Sequence, residues 1–253
     1  MFVRFVVVWV MDETERFEEY KFRGDYHDNI DSDWLYYPIY KAKMCYVFGF
    51  LDKIARSCHV LDVGCGEGLI VKKYREKGFN FVGMDLNYKS EFVNKGDIKD
   101  MPFESDAFDI TMCLDVLEHL SFSEQYIAIN ELWRVTQKGG RAIISVPNLA
   151  HVASRFRFMF LGEPFRTALD ERRHQGDRTF KEFERMFLGA GWKVEKIKSL
   201  FPTFPLISLI TKYVPRWSYP VHKFYNLFKV HPSLCFLTIF ILTKTDDKGS
   251  DVL

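Results

Sequence analysis

A short β-branched run, His59–Val63, leads directly into Gly64-Cys65-Gly66-Glu67-Gly68. No other stretch constrains this chain so strongly. A β-branched run that ends in clustered glycines reads as a strand entering a tight turn, and Leu69–Lys77 behind it reads as a helix closed by Gly78. Glycine lets the backbone turn sharply and lets a ligand lie against it with no Cβ in the way. The N-terminus of the following helix presents free N–H groups to an anionic group.

The pattern around this loop continues as strands alternating with helices. Apolar residues recur at helical spacing from Tyr36 to Ile54 (Ile39, Tyr40, Met44, Val47, Phe48, Leu51), predicting a helix against a sheet. Phe79–Met84, Glu91–Lys95 and Phe108–Cys113 read as the second to fourth strands. The Leu86–Ser90 link is too short for a full helix. Ser121 and Glu124 form a capping box for a helix running to Gly139-Gly140, followed by a fifth strand over Arg141–Val146. Thr179 and Glu182 form a second box, ahead of Phe180, Phe183, Met186 and Phe187 on one helical face. Trp192–Leu200 and Ser233–Thr243 read as strands six and seven. This alternation means an α/β fold, a mainly parallel sheet with helices on both faces.

Two acids qualify the glycine loop. The Gly-x-Gly-x-Gly spacing differs from that of dinucleotide enzymes, and Asp62 just before it would repel a pyrophosphate. A negative charge there suits a cationic ligand. Asp85 closes the second strand, where an acid accepts hydrogen bonds from ribose hydroxyls. Asp97 follows the third strand and could accept from an adenine amino group. A dinucleotide oxidoreductase or a non-catalytic module of the same architecture are the alternatives. The glycine spacing counts against the first.

Asp62-Val63-Gly64-Cys65-Gly66-Glu67-Gly68 resembles motif I of class I S-adenosylmethionine-dependent methyltransferases. Gly96-Asp97, Met101-Pro102-Phe103, Ser105-Asp106-Ala107-Phe108-Asp109 and Val116-Leu117-Glu118-His119-Leu120 resemble the later motifs of the type 11 branch. The resemblance spans about residues 37–146. It implies a Rossmann-like seven-stranded sheet with an antiparallel last strand and S-adenosylmethionine as cofactor. The cofactor contacts it implies are Asp62, Gly64, Cys65, Gly66, Gly68, Asp85, Asp97, Ile98 and Leu114. His119 is the candidate general base, or else a helix-start residue making a structural hydrogen bond. Asp115, Glu118 and His119 resemble a divalent-metal cluster of some methyltransferases, although those carry glutamate where this chain has Asp115. His174 and Arg178 resemble a substrate-side segment of type 11 enzymes of polysaccharide and glycolipid biosynthesis. Here the order Arg178-Thr179-Phe180 departs from the usual one, and Thr179 reads equally as a helix cap.

At 253 residues the chain is long enough for one sizeable domain over 36–253, preceded by an acidic, aromatic N-terminal extension, 1–35, that could act as a lid. Residues 1–10 are too short an apolar run to span a bilayer. They read as a start-site artefact or a tail that touches a membrane. The formal net charge of +1 does not favour nucleic acid as a partner. Five cysteines without a CxxC pair fit reduced thiols in the cytoplasm. An aromatic, basic insertion at about 201–232 sits within a stretch, Lys196–Thr245, that contains no Asp or Glu. It fits either a cap over the pocket or an interfacial surface on anionic lipid, and His151–Arg166 has a similar character. The expected acceptor is therefore a small molecule, a glycan or a lipid-linked intermediate.

Overall fold

The computed structural model describes residues 36–164, 175–204, 210–211, 213–226 and 230–245. The N-terminal extension, His174 and part of the 201–232 insertion lie outside the described residues.

One seven-stranded sheet organises the described chain, in the order β3-β2-β1-β4-β5-β7-β6. Its strands are β1 (His59–Val63), β2 (Asn80–Asp85), β3 (Val93–Lys95), β4 (Phe108–Leu114), β5 (Thr136–Pro147), β6 (Trp192–Pro202) and β7 (Cys235–Lys244). Strands β1 to β5 pair in parallel, and β7 runs antiparallel to both β5 and β6. This is the Rossmann-like arrangement the sequence implied, with the antiparallel strand last in the chain.

The helices are α1 (Tyr37–Leu51), α2 (Leu69–Glu76), α3 (Phe122–Val135), α4 (Val152–Leu161), α5 (Phe180–Gly189) and α6 (Pro215–Tyr225). Side chains alternate across a strand, so each face of the sheet buries its own set. Leu61 and Val63 of β1 join a cluster with Leu132 of α3 and Phe183 and Phe187 of α5. Val60 points the other way, into a cluster with Met44, Val47 and Leu51 of α1 and Val71 and Tyr74 of α2. Helices thus cover both faces. Both predicted capping boxes form, with Ser121 and Glu124 opening α3 and Thr179 and Glu182 opening α5.

Three boundaries differ from the sequence reading. Helix α3 ends at Val135, and β5 begins at Thr136 rather than Arg141. The Gly139-Gly140 pair is not a helix stop. Gly139 takes φ +71° inside the strand, and the β4–β5 register shifts between Phe108 and Ile110. That is the behaviour of a bulge. A Cβ on Gly140 would lie 2.8 Å from the backbone oxygens of Asp109 and Gln137, so the close approach requires glycine. The third strand is shorter than expected, beginning at Val93. Pro220 lies inside α6.

The connections matter for function. Asn148 Nδ2 donates to the carbonyl of Cys235 at 2.9 Å, and the His151 ring shares a 2.8 Å hydrogen bond with Thr203. These bonds tie the chain leaving β5 to the end of β6 and the start of β7, at the carboxyl end of the parallel strands. Among the described residues no helix is long and apolar enough to cross a membrane.

Candidate functional site

The site is built where the chain leaves β1. Gly64 donates its N–H to the carbonyl of Met84 on β2 at 2.7 Å, which pins the loop to the neighbouring strand. Gly64, Gly66 and Gly68 all take positive φ (+72°, +56° and +79°), and Gly68 is the N-cap of α2. A side chain at Gly64 would also run into Val116, and one at Gly68 would come within 2.5 Å of Val93. The loop therefore needs glycine for both conformation and space.

A cavity of about 300 Å³ opens over this loop. Its walls are Asp62, Gly64, Cys65, Gly66 and Glu67 of the loop; Asp85, Asn87 and Tyr88 at the end of β2; Leu114 and Asp115 at the end of β4; and Tyr40, Lys43 and Met44 of α1. Asp85 is held by the backbone. Gly66 donates to its Oδ2 at 2.9 Å, and Asn87 and Tyr88 donate to its Oδ1 at 2.8 and 3.2 Å.

The electrostatics are acidic around one buried cation. Asp62 is 3% exposed. Burial, with Asp85 nearby, pushes its carboxyl up to about 7, against a smaller opposing pull from the Lys43 ammonium. Lys43 is itself buried and pairs with Asp115, whose other carboxylate oxygen accepts from Ser145. Asp115 takes φ +56°, unusual for a residue with a side chain. Deeper still, Glu118 is buried with its Oε2 lacking a hydrogen-bond partner. Burial and the neighbouring Asp115 hold its pKa well above the usual carboxylate range. Burial also raises the Cys65 thiol, so Cys65 is a wall and not a nucleophile.

The fold brings Asp62, Gly64, Cys65, Gly66, Asp85 and Leu114 together as the sequence implied, with Gly68 just beneath as the helix cap. It does not bring the rest. Asp97 and Ile98 do not line the cavity: Asp97 accepts from the Lys99 N–H at 2.9 Å, and Ile98 is buried. His119 is exposed and also lies outside the cavity lining. The metal cluster of Asp115, Glu118 and His119 is not formed. Asp115 is engaged by Lys43 and Ser145, Glu118 is buried, and His119 faces solvent. Among the described residues no three His, Cys, Asp or Glu side chains converge as a metal site would need. Arg178 acts as a fastener. Its Nε donates to Gln125 at 2.6 Å and its guanidinium lies 4.4 Å from the Phe122 ring centroid. Gln125 in turn donates to the carbonyls of Leu117 and Gly176 at 2.9 and 2.7 Å.

Sequence reasoning missed the α1 wall. Lys43 falls between Ile39 and Val47 at helical spacing, on the apolar face of its helix. A lone cation on a buried face was the signal that could have found it, because such a charge needs a buried partner.

Residues 61–144 match the family model described as "Methyltransferase domain". This segment is a type 11 methyltransferase domain of class I. The methyltransferase domain also resembles curated proteins. A malonyl-[acyl-carrier protein] O-methyltransferase of Erwinia billingiae is 31% identical over 96 residues, covering 34% of this chain and 38% of that protein. A tRNA (carboxymethyluridine(34)-5-O)-methyltransferase of Arabidopsis thaliana is 32% identical over 118 residues, 42% of this chain and 28% of that protein. The matches therefore span less than half the length of these relatives. Among solved structures, a SAM dependent methyltransferase from Archaeoglobus fulgidus superposes with a TM-score of 0.59 at 19% identity, over 92% of this chain and 100% of that one. At that identity the likeness establishes the fold.

The cavity suits S-adenosylmethionine, the family's cofactor. A buried carboxyl titrating near neutrality beside a glycine cradle favours a cationic ligand, whose charge would return the carboxyl to its ionised form.

Proposed function

We propose that this chain transfers the methyl group of S-adenosylmethionine to a small-molecule, glycan or lipid-linked acceptor. The observation that carries the reading is the acidic, glycine-floored cavity with Asp62 at one side and Asp85 at the other. Asp62 would face the cationic methionine end. Asp85 would accept from the ribose hydroxyls through Oδ2, which takes only the Gly66 N–H and keeps a lone pair, whereas Oδ1 already accepts from Asn87 and Tyr88. Of the remaining contacts that the family resemblance assigns, Leu114 lines the cavity while Asp97 and Ile98 lie outside its lining. When bound, the cofactor supplies an activated methyl group, so the protein's task is orientation and exclusion of water. Where an acceptor must lose a proton, Asp115 is the better-placed base, since it lines the cavity and His119 does not. Arg178 acts indirectly, by fixing the Gly176 turn against α3.

The absence of Asp and Glu from Lys196 to Thr245, with abundant aromatics, supports an apolar or lipid-linked acceptor. Incubating the protein with methyl-labelled S-adenosylmethionine and separate lipid, small-metabolite and RNA fractions tests this. Label entering the lipid or small-metabolite fraction is the expected result. Label entering only RNA would overturn the acceptor assignment.

A further inference from the structure

Helix α4 disobeys the usual rule for a surface helix. Of its ten residues, only Val152 and Ser154 are buried. Phe158, Met159, Phe160 and Leu161 form an unbroken apolar run, each 61 to 73% exposed, and Phe156 stacks on Phe160 with ring centroids 6.4 Å apart. An amphipathic helix turns its apolar stripe inward. This one carries its large apolar side chains around the outer turn and ends at Gly162 in the left-handed conformation.

The cost of such exposure in water calls for an occupant, and the charge pattern says which. Helix α4 itself contains Arg155 and Arg157 and no acid, and Glu163 just beyond it pairs with Arg157 at 3.1 Å, leaving Arg155 as the helix's cation without an acidic partner among the described ion pairs. Its base is fastened to the chain around β6 and β7 by the His151–Thr203 bond, and by Arg155 donating to the carbonyl of Ser233 at 3.3 Å. That neighbouring chain, Lys196–Thr245, carries seven Lys and Arg residues and no Asp or Glu. Inserted in it is α6, with Trp217 72% exposed and Lys223 on its surface, preceded by the exposed Tyr213. Aromatic rings and exposed aliphatics beside cations without acids match the interfacial layer of an anionic bilayer. A soluble acidic partner would need polar complements that the run Phe158–Leu161 does not offer.

We infer that the outer turn of α4 inserts into the surface of an anionic membrane, with α6 and its Lys223 lying against the headgroups. This stands apart from the methyl-transfer reading, although α4 and α6 both sit at the carboxyl end of the sheet where the cofactor cavity opens.

The test is co-sedimentation of the full chain with vesicles of phosphatidylcholine alone and of phosphatidylcholine with phosphatidylglycerol. It is run at roughly 50 mM and roughly 500 mM salt, where screening lengths differ severalfold. Wild type should bind the anionic vesicles at least tenfold more tightly than the neutral ones, and less so at high salt. The double variant Phe158→Ser, Phe160→Ser should lose at least tenfold in vesicle affinity. Its S-adenosylhomocysteine binding should match that of wild type, since neither residue lines the cavity. Matching circular dichroism spectra serve as the control for folding even if neither protein binds that ligand, an outcome that would count against the methyl-transfer reading alone. Absence of wild-type binding to anionic vesicles would overturn the inference, as would binding that the double variant retains. So would a wild-type dimer in sedimentation velocity that the variant dissolves, with no vesicle binding, because a second copy would then cover the helix.

Discussion

The buried carboxyl of Asp62 should make the folded protein pay for readiness to bind a cation, and Asp62→Asn should expose that cost. Asp62 titrates near 7 in the folded chain against an ordinary 3.8, chiefly because burial disfavours its charged form. The folded state thus binds a proton that the unfolded state has released between these two values, and stability falls as pH rises through that window. At about 1.4 kcal/mol per tenfold, the penalty reaches about 4 kcal/mol above pH 7 and is about 1.5 kcal/mol at pH 5. The uncharged Asp62→Asn variant escapes it. In urea denaturation followed by circular dichroism, the variant should be more stable than wild type at pH 8 by several kcal/mol. The gap should shrink to roughly a third at pH 5. A gap that does not change with pH, or no gap at pH 8, would show that Asp62 is ionised at little cost and would refute the reasoning.

The same titration predicts the cofactor's pH dependence. If the ionised form of Asp62 holds the methionine end, S-adenosylmethionine affinity should rise roughly eightfold between pH 6 and 7.5, measured by calorimetry; a flat profile would contradict it. Gly64→Ala should destabilise the domain by about 2 kcal/mol or more, because it adds strain at φ +72° and a clash with Val116. Thermal denaturation with and without S-adenosylhomocysteine would register both this loss and weaker binding. Thr179→Ala removes the side-chain acceptor for the Glu182 N–H and should cost about 1 kcal/mol in chemical denaturation while leaving cofactor affinity unchanged.

The sheet was legible in the sequence because each strand carries its own signal. β-branched runs mark β1 and β4, and the capping boxes at Ser121 and Thr179 mark the helices behind them. The cofactor loop was legible because positive φ at three closely spaced positions leaves glycine as the ready choice. What escaped depends on distant parts of the chain meeting. Lys43 lies 72 residues from Asp115, and nothing local to either predicts their pairing. The same holds for Arg178, whose guanidinium is engaged by Gln125 53 residues earlier and so takes a fastening role. Gly139-Gly140 misled because a bulge and a helix stop use the same residues. His119 follows its motif in sequence, but the single helical turn of Leu117–His119 leaves it exposed and outside the cavity lining.

On the reading proposed above, the cavity over Gly64–Gly68 holds S-adenosylmethionine through Asp62 and Asp85. Isothermal titration of wild type and Asp85→Ala with S-adenosylmethionine and S-adenosylhomocysteine tests it most directly. Binding of both ligands by wild type, weakened at least tenfold in a folded Asp85→Ala variant, is the predicted result, since each charge-assisted hydrogen bond lost costs about 1.5 kcal/mol or more. No binding by folded wild type, or equal binding by the variant, would contradict the account.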